Sequence, residues 1–141
     1  MDPPLAPGTR IALLLDDGSV HLLPVPEADE SLKVRGLGVL SGKLLQDARI
    51  GGLLEMGRTR ARVLDPTPEL IFEALSRKAQ VITPPDAARI AHGTGVGPGS
   101  TVVEGGLGSG GLTTYLAHLV GEQGKVHGFD LREDHARVAA K

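Results

Sequence analysis

Residues 1–65 follow the short, turn-punctuated hydrophobic pattern of a β-rich domain. Two apolar-rich runs, Arg10–Leu15 and Ser19–Leu23, flank an Asp-Asp-Gly stretch. An Asp-Gly pair between such runs predicts a tight hairpin. Further strands are predicted at Gly36–Leu40 and Thr59–Leu64. The pattern therefore predicts a small sheet or barrel over residues 1–65.

From residue 66 the pattern changes to the period of helices. Thr67 can cap a helix that has Pro68 at its first position. Apolar residues then recur at helical spacing, namely Leu70, Ile71, Ala74, Leu75 and Ala79. A second helix is predicted to begin at Thr83 and to stop at Gly93. Its buried positions are predicted to be Ala87, Ile90 and Ala91.

Residues 101–141 alternate strand, glycine loop, helix and strand. The β-branched run Thr101–Glu104 leads into the loop Gly105–Gly111, and the helix that follows ends at Gly121. A second strand is predicted at Lys125–Asp130, and another helix opens at Glu133. This order predicts a βαβ unit with parallel strands and a right-handed crossover. Because a parallel sheet of two strands cannot bury both faces, the chain is interpreted as truncated.

Composition narrows the class of protein. The chain has no cysteine, which excludes disulfides and thiolate metal sites, and the scattered histidines are not interpreted as metal ligands. No signal peptide and no apolar run of about 18 residues is visible, so a soluble cytoplasmic protein without membrane or metal is expected. The net charge of -2 argues against indiscriminate attraction to nucleic acid but leaves room for a local basic patch.

One such patch is predicted on a strand. Arg58, Arg60 and Arg62 alternate along the sequence, so they would share one strand face. That face could contact RNA phosphates, although an ordinary solvated face is favoured.

The feature that carries chemistry is the glycine-rich stretch between the two predicted parallel strands. Glycines at a strand-to-helix turn let the backbone approach a ligand, and the helix N-terminus presents free N–H groups. Two fingerprints fit: the dinucleotide form through Gly106, Gly108 and Gly111, and the methyltransferase form through Gly106, Gly108 and Gly110. Asp130 lies where either scheme places a ribose-binding acid.

Glu104 favours the methyltransferase form. A carboxylate two residues before the first glycine suits a ligand with positive charge, such as the sulfonium and ammonium of S-adenosylmethionine. The same carboxylate would repel a pyrophosphate placed over the loop. An NAD-dependent oxidoreductase fragment nevertheless stays open as an alternative at this point.

Residues 103–113 resemble the cofactor motif of the tRNA adenine-N1 methyltransferases that modify position 58 in the T-loop. Residues 76–87 are similar to the family's basic-then-Gln-aliphatic-Pro-Asp segment, and residues 121–126 and 130–135 match its second strand and acidic end. Gly105 stands where the family usually has Ala, Leu107 where it favours a small polar residue, and Asp130 is shorter than the usual Glu. Leu107 is expected to narrow the space above the loop.

The fold implied by this resemblance is α/β. A small β-rich, barrel-like domain at residues 1–65 would precede a helical lead-in and the first part of a Rossmann-like class I methyltransferase domain at residues 66–141. The chain would end before that domain is complete.

The resemblance also implies the roles of individual residues. Ser109, Gly110, Gly111 and Leu112 would line the methionine portion of the cofactor through backbone groups, and Asp130 would bind the ribose hydroxyls. His135 and Gln80 would be further contacts, with a solvated histidine and a structural hydrogen bond as the respective alternatives. The whole implied cofactor site comprises Gln80, Glu104, Gly106, Gly108, Ser109, Gly110, Gly111, Leu112, Asp130 and His135.

The implied activity is S-adenosyl-L-methionine-dependent methylation of N1 of an adenine in the tRNA T-loop. The base would be flipped out of its loop, and catalysis would rest on positioning and on stabilising the developing charge. The family's catalytic Asp would lie beyond Lys141, so no catalytic residue is assigned and the chain alone is expected to be inactive. The partners implied are tRNA and a homo-oligomer, a tetramer in the family. A non-catalytic module that pairs with a full-length homologue is a further alternative.

Overall fold

The computed structural model describes residues 4–75 and 81–139. Backbone contacts divide the chain into two compact units, Met1–Ala74 and Leu75–Lys141. Each unit has its own sheet and helices, and the candidate site lies in the second.

The first unit is built from short antiparallel strands. Its elements are β1 (Arg10–Leu15), β2 (Val20–Pro24), β3 (Ser31–Val34), β4 (Gly38–Ser41), α1 (Gly42–Gln46), β5 (Leu53–Met56), β6 (Thr59–Leu64) and α2 (Pro68–Ala74). Four strands form an antiparallel sheet in the order β2-β1-β6-β5, and β3 and β4 form a separate hairpin.

The predicted hairpin between β1 and β2 is confirmed. Leu14 lies opposite Val20, and the Leu15 N–H donates to the Ser19 carbonyl at 2.9 Å. Gly18 closes the turn with a φ of 83°, a left-handed conformation that glycine adopts without steric cost. The Asp17 carboxylate accepts from both the backbone N–H and the hydroxyl of Ser19, which fixes the turn.

Alternation along the strands builds the core of the first unit. Inward positions of the strands meet apolar residues from the loops and α1, and the buried cluster comprises Ile11, Leu13, Leu23, Val25, Leu40, Leu45, Leu54, Ala61 and Val63. Arg60 and Arg62 lie on β6 between these positions and stay exposed, because successive side chains of a strand point to opposite faces.

Three elements of the first unit were not predicted: β3, α1 and β5. Each has only four or five residues, too few for a period of 2.0 or 3.6 to show in the sequence. Cross-strand pairing and the Ser41 cap, whose hydroxyl accepts from the Leu44 N–H at 3.2 Å, determine them instead.

The helix α2 begins at Pro68, as predicted, and buries Phe72. It contacts β2 and so belongs with the first unit, whereas the sequence places it after a boundary at residue 65. The predicted assignment of residues 1–65 and 66–141 to separate domains stays a prediction.

The second unit contains the predicted strand–loop–helix–strand order. Its elements are α3 (Pro84–Thr94), β7 (Thr101–Gly105), α4 (Gly111–Val120), β8 (Lys125–Phe129) and α5 (Glu133–Ala139). The strands β7 and β8 pair in parallel, with Glu104 opposite Gly128, which confirms the predicted βαβ unit. Val103 and Phe129 are 71% and 64% exposed, because α4 covers only one face of this two-stranded sheet.

The predicted end of α3 was wrong by one residue. Gly93 lies inside the helix, which runs to Thr94, and Gly95 takes the left-handed conformation at the C-cap with a φ of 70°. Ala87 and Ala91 are buried as predicted, but Ile90 is 38% exposed. The buried face of α3 is therefore narrow: it includes Ala87 and Ala91, which are four residues apart, but leaves Ile90, three residues after Ala87, partly exposed to solvent.

Gly93→Ala is expected to raise the free energy of unfolding of the second unit by about 0.5–1 kcal/mol, because glycine costs about that much more than alanine inside a helix. Among the atoms of the described residues, a Cβ at position 93 would meet none within 4 Å. Urea unfolding monitored by amide signals of α3 measures the change. Gly95→Ala is the matched control and should destabilise, since its φ disfavours any side chain; stabilisation by both variants would contradict the assigned helix end.

Candidate functional site

The glycine loop connects the carboxyl end of β7 to the amino end of α4. Gly110 caps α4 with a φ of 82°, a conformation that disfavours any side chain. A Cβ at Gly110 would also lie 3.1 Å from the Cα of Ala139 in α5. Both the positive φ and the closeness of Ala139 therefore favour glycine at position 110.

The loop is held against the end of β8 at three points. The Gly106 N–H donates to the Phe129 carbonyl at 2.7 Å, and the Gly108 N–H donates to Asp130 Oδ2 at 3.1 Å. The side chain of Leu107 lies over Gly128, where a Cβ would approach Leu107 Cδ2 to 2.5 Å. Leu107 thus occupies the space that Gly128 leaves open on β8.

Glu104, at the end of β7, is a buried carboxylate that lacks a full set of partners. The residue is 6% exposed. Among the described residues, neither Glu104 Oε2 nor the buried Thr113 Oγ1 has a hydrogen bond of ordinary geometry. Burial raises the pKa of Glu104, and the neighbouring Thr113 hydroxyl offsets part of this rise in pKa. A buried carboxylate oxygen without a partner raises the free energy of the folded chain, and a cationic ligand would relieve that cost.

Asp130, directly after β8, in contrast accepts hydrogen bonds from backbone N–H groups through both of its carboxylate oxygens. Its carboxylate accepts from the Arg132 N–H at 2.8 Å and from the Gly108 N–H at 3.1 Å. His135 Nδ1 lies 3.4 Å from Oδ2. The hydrogen bonds from the Arg132 and Gly108 N–H groups, with a smaller contribution from His135, lower the pKa of Asp130. The group is therefore an ionised acceptor at neutral pH.

The remaining predicted positions lie at the start of α4. Ser109 and Gly111 are buried and Leu112 is half-buried. The structure thus joins the loop, the end of β8 and the start of α5 through Gly108, Asp130 and His135. Gln80, the last predicted cofactor contact, lies outside the described residues.

Two residues of this region were not predicted to matter. The Thr113 hydroxyl lowers the pKa of the Glu104 carboxyl and so offsets part of the effect of burial. The available signal was its place in the first turn of α4, directly after the glycine loop. Gly128 leaves space for the side chain of Leu107. No sequence pattern indicates this contact, because Leu107 lies in the glycine loop and Gly128 lies on β8, about 20 residues later in the chain.

The arginines of β6 lie partly in ion pairs and hydrogen bonds within the first unit. Arg60 pairs with Asp16 at 2.9 Å, and Arg62 donates to the Gly51 carbonyl at 2.9 Å. Both side chains remain at the surface. Their predicted contact with RNA phosphates stays a prediction.

Within residues 4–75 and 81–139, no group of three or more histidine and acidic side chains could hold a metal ion. In the same part of the chain, no helix has the length and apolar character needed to cross a membrane.

Comparison with known proteins agrees with this geometry. A family profile described as "tRNA methyltransferase complex GCD14 subunit" matches residues 60–141, more than half of the chain. The tRNA (adenine(57)-N(1)/adenine(58)-N(1))-methyltransferase TrmI of Methanocaldococcus jannaschii is 40% identical over 79 residues, which cover 56% of this chain and 28% of that protein. The tRNA (adenine(58)-N(1))-methyltransferase TrmI of Thermus thermophilus is 38% identical over 76 residues, or 54% of this chain and 30% of that protein.

Solved structures give the same assignment of the fold. A SAM-dependent O-methyltransferase from Thermotoga maritima superposes with a TM-score of 0.69 at 27% identity, over 96% of this chain and 51% of that one. The tRNA (m1A58) methyltransferase TrmI from Aquifex aeolicus gives 0.61 at 25% identity, over 97% and 52%. The predicted α/β, Rossmann-like fold is thus confirmed.

The chain spans less than a third of the curated relatives named above and about half of the solved structures. The profile match nevertheless covers the glycine loop, Glu104 and Asp130, so the predicted resemblance is confirmed: the chain belongs to the family of the tRNA methyltransferase complex GCD14 subunit.

Proposed function

We propose that this chain provides the cofactor-binding part of an S-adenosyl-L-methionine-dependent enzyme that methylates N1 of an adenine at position 58 in the tRNA T-loop. The family match and the names of the relatives support this reaction. The observation that carries the proposal is the carboxylate of Glu104, which is buried directly before the glycine loop and whose Oε2 has no hydrogen bond to any described residue.

The charge of the ligand follows from that carboxylate. A pyrophosphate near the loop would face a buried acid and be repelled, which argues against the NAD-dependent alternative. A sulfonium or an ammonium would instead supply the missing partner and relieve the cost of burial. The residues present therefore fit S-adenosylmethionine better than a dinucleotide.

The remaining parts of the cofactor are assigned by the same logic. Backbone groups of Ser109, Gly110, Gly111 and Leu112 would hold the methionine portion, as the family resemblance implies. Gly111 and Leu112 lie in the first turn of α4, where backbone N–H groups have no helical partner. Asp130 would accept from the ribose hydroxyls, as an ionised acceptor beside the loop. When bound, the cofactor supplies the methyl group; we assign this chain the binding of the cofactor and no catalytic residue for the transfer.

The same proposal includes tRNA as the partner and a cytoplasmic location. It also includes assembly into a homo-oligomer, with a tetramer as the form expected for the family. The family resemblance supports all three. A gel-shift comparison of an unmodified tRNA transcript with one whose T-loop adenine is replaced tests the first of these. Equal binding of both transcripts would contradict recognition of that base.

Asp130→Asn is expected to weaken binding of S-adenosylhomocysteine by about tenfold or more, because hydrogen bonds to a charged acceptor contribute roughly 1.5–3 kcal/mol. Calorimetry at pH 7.5 measures the change, with NADH as the competing ligand. Asp134→Asn is the matched control, since this acid is exposed and pairs with Arg132 at 2.8 Å. Tighter binding of NADH than of S-adenosylhomocysteine by the unmodified chain would overturn the proposed function.

A further inference from the structure

The loop between β7 and α4 has very few side chains of its own. Of its residues 105–111, five are glycines, and only Leu107 and Ser109 carry side chains. Gly106 and Gly108 lie at positive φ, 83° and 55°, so Leu107 is flanked by two residues whose backbones have unusual conformational freedom. Because fixing each glycine backbone costs conformational entropy, this loop needs an anchor to hold one conformation.

The side chain of Leu107 provides that anchor on β8. A Cβ at Gly128 would lie 2.5 Å from Leu107 Cδ2, 3.2 Å from Cδ1 and 3.4 Å from Cγ. Gly128 is paired with Glu104 in the parallel register, so the contact lies on the face of the sheet that α4 covers. Leu107 is half-buried there, and its side chain fills the space where Gly128 has none.

Backbone hydrogen bonds extend the same contact to both neighbours of Leu107. The Gly106 N–H donates to the Phe129 carbonyl at 2.7 Å, and the Gly108 N–H donates to Asp130 Oδ2 at 3.1 Å. Three consecutive loop residues therefore lie across three consecutive residues at the end of β8. Leu107 is the central one of the three, and its side chain is the only apolar group that holds the loop in this place.

We propose that Leu107 is a positioning residue for the cofactor: by packing over Gly128, it fixes the glycine loop and keeps the Gly108 N–H and Asp130 aligned before the ligand binds. This inference rests on the proposed function, because it takes the loop and Asp130 as the cofactor site. The sequence alone predicts that Leu107 narrows the space above the loop, which would weaken binding. The contact with Gly128 indicates the opposite effect, since a loop that is already ordered loses less entropy when the ligand binds.

Two substitutions remove this contact from opposite sides. Leu107→Ala shortens the side chain. Gly128→Ala displaces it, because the overlapping atom is the end of a side chain that can rotate. Each is expected to weaken binding of 5′-methylthioadenosine by about tenfold, the effect of having to order roughly one loop residue on binding. This ligand has the ribose but neither sulfonium nor ammonium, so it isolates the loop and Asp130 from the charge of Glu104.

The double variant, with alanine at both positions, tests whether the two residues act through one contact. It should bind about as well as Leu107→Ala alone, because the Cβ at position 128 then has no leucine to displace. Leu107→Met keeps a long apolar side chain and should retain affinity within about twofold. Val103→Ala is the matched control: it shortens an apolar side chain on the open face of the same sheet, where Val103 is 71% exposed, and should not change affinity.

Hydrogen exchange in the free protein separates positioning from a general loss of stability. In Leu107→Ala, the Gly108 amide should exchange with solvent faster than in the unmodified chain, because its bond to Asp130 is no longer held in place. Amides within α4 should exchange at an unchanged rate, whereas a general loss of stability would accelerate exchange in both regions.

The pKa of Asp130 gives a second measurement without ligand. The Arg132 N–H and then the Gly108 N–H lower this pKa. The pKa of Asp130 should therefore rise in both single variants that remove the contact, because the Gly108 contribution is lost. His135 also lowers this pKa, but it is present in every variant, so its contribution is common to all of them. Carboxyl resonances followed by NMR through the acidic range measure the change.

The outcomes separate the two proposals. Tighter binding by Leu107→Ala would show that the side chain narrows the site, and would overturn the positioning role. Additive losses in the double variant would overturn it, as would a Gly108 amide and an Asp130 pKa that are the same in all variants. No binding of either S-adenosylhomocysteine or 5′-methylthioadenosine by the unmodified chain overturns the proposed function, whereas the two measurements on the free protein still decide whether Leu107 anchors the loop.

Discussion

Glu104→Gln is expected to raise the free energy of unfolding of the second unit at pH 7.5 by about 1–2 kcal/mol. The change replaces a buried carboxylate, one of whose oxygens has no hydrogen bond among the described residues, by a neutral group of the same shape. The same change is expected to weaken binding of S-adenosylmethionine by about 30-fold, since the ligand's cation loses a buried charged partner. A gain in stability with a loss of binding is typical of a group kept for a ligand. Urea unfolding and calorimetry measure the two effects.

The stability effect has a definite dependence on pH. Burial raises the folded-state pKa of Glu104, so this carboxyl contributes stability that is fully present below the unfolded pKa and is lost as the pH rises through the folded pKa. The difference between Glu104→Gln and the unmodified chain should therefore shrink towards acidic pH and grow towards neutral pH.

A series of three ligands identifies the charge that Glu104 faces. Loss of the preference for S-adenosylmethionine over S-adenosylhomocysteine indicates the sulfonium, whereas equal loss for both, with 5′-methylthioadenosine unaffected, indicates the ammonium. Glu122→Gln, at an exposed position after α4, is the matched control and should change neither stability nor affinity. If Glu104→Gln weakens all three ligands equally, the carboxylate does not face a cation and its assignment is wrong.

Gly42→Ala is expected to destabilise the first unit by about 3 kcal/mol, at the upper end of the usual cost of overpacking. Gly42 is buried at the start of α1, and its N–H donates to the Glu30 carbonyl at 2.9 Å. A Cβ would overlap the Glu27 carbonyl oxygen and lie 2.6 Å from the Glu27 carbonyl carbon. Because these are backbone atoms, the segment itself must move. Amide exchange of β1 and β6 during urea unfolding measures the loss.

Gly36→Ala separates this overlap from the conformational cost of losing a glycine. Gly36 has a φ of 84°, and a Cβ there would meet no atom of the described part of the chain within 4 Å. A loss of only about 1–2 kcal/mol is therefore expected. Equal destabilisation by the two variants would contradict the close approach at Gly42. Amide exchange in α4 should be unchanged by both variants, since they alter only the first unit.

The strands and helices that could be predicted are those whose information is local. The hairpin of β1 and β2 depends on a turn in which Gly18 lies at positive φ, and α2 begins at a Thr-Pro pair whose hydroxyl accepts from the Leu70 N–H at 3.3 Å. The end of α3 was mispredicted because Gly93 and Gly95 are equally plausible stops by composition. Only the backbone geometry shows that Gly95 takes the left-handed conformation.

For the candidate site, the sequence by itself determined which residue types lie at the loop: a carboxylate before the glycines and an acid after the next strand. It did so because a βαβ unit brings the carboxyl ends of its two parallel strands to one edge. The tertiary structure alone decided how those acids are solvated. Glu104 is buried, and within residues 4–75 and 81–139 one of its oxygens has no hydrogen-bond partner. Asp130, in contrast, is surrounded by Gly108, Arg132 and His135. Burial and hydrogen bonding depend on atoms brought together from distant positions, and a linear pattern does not contain that information.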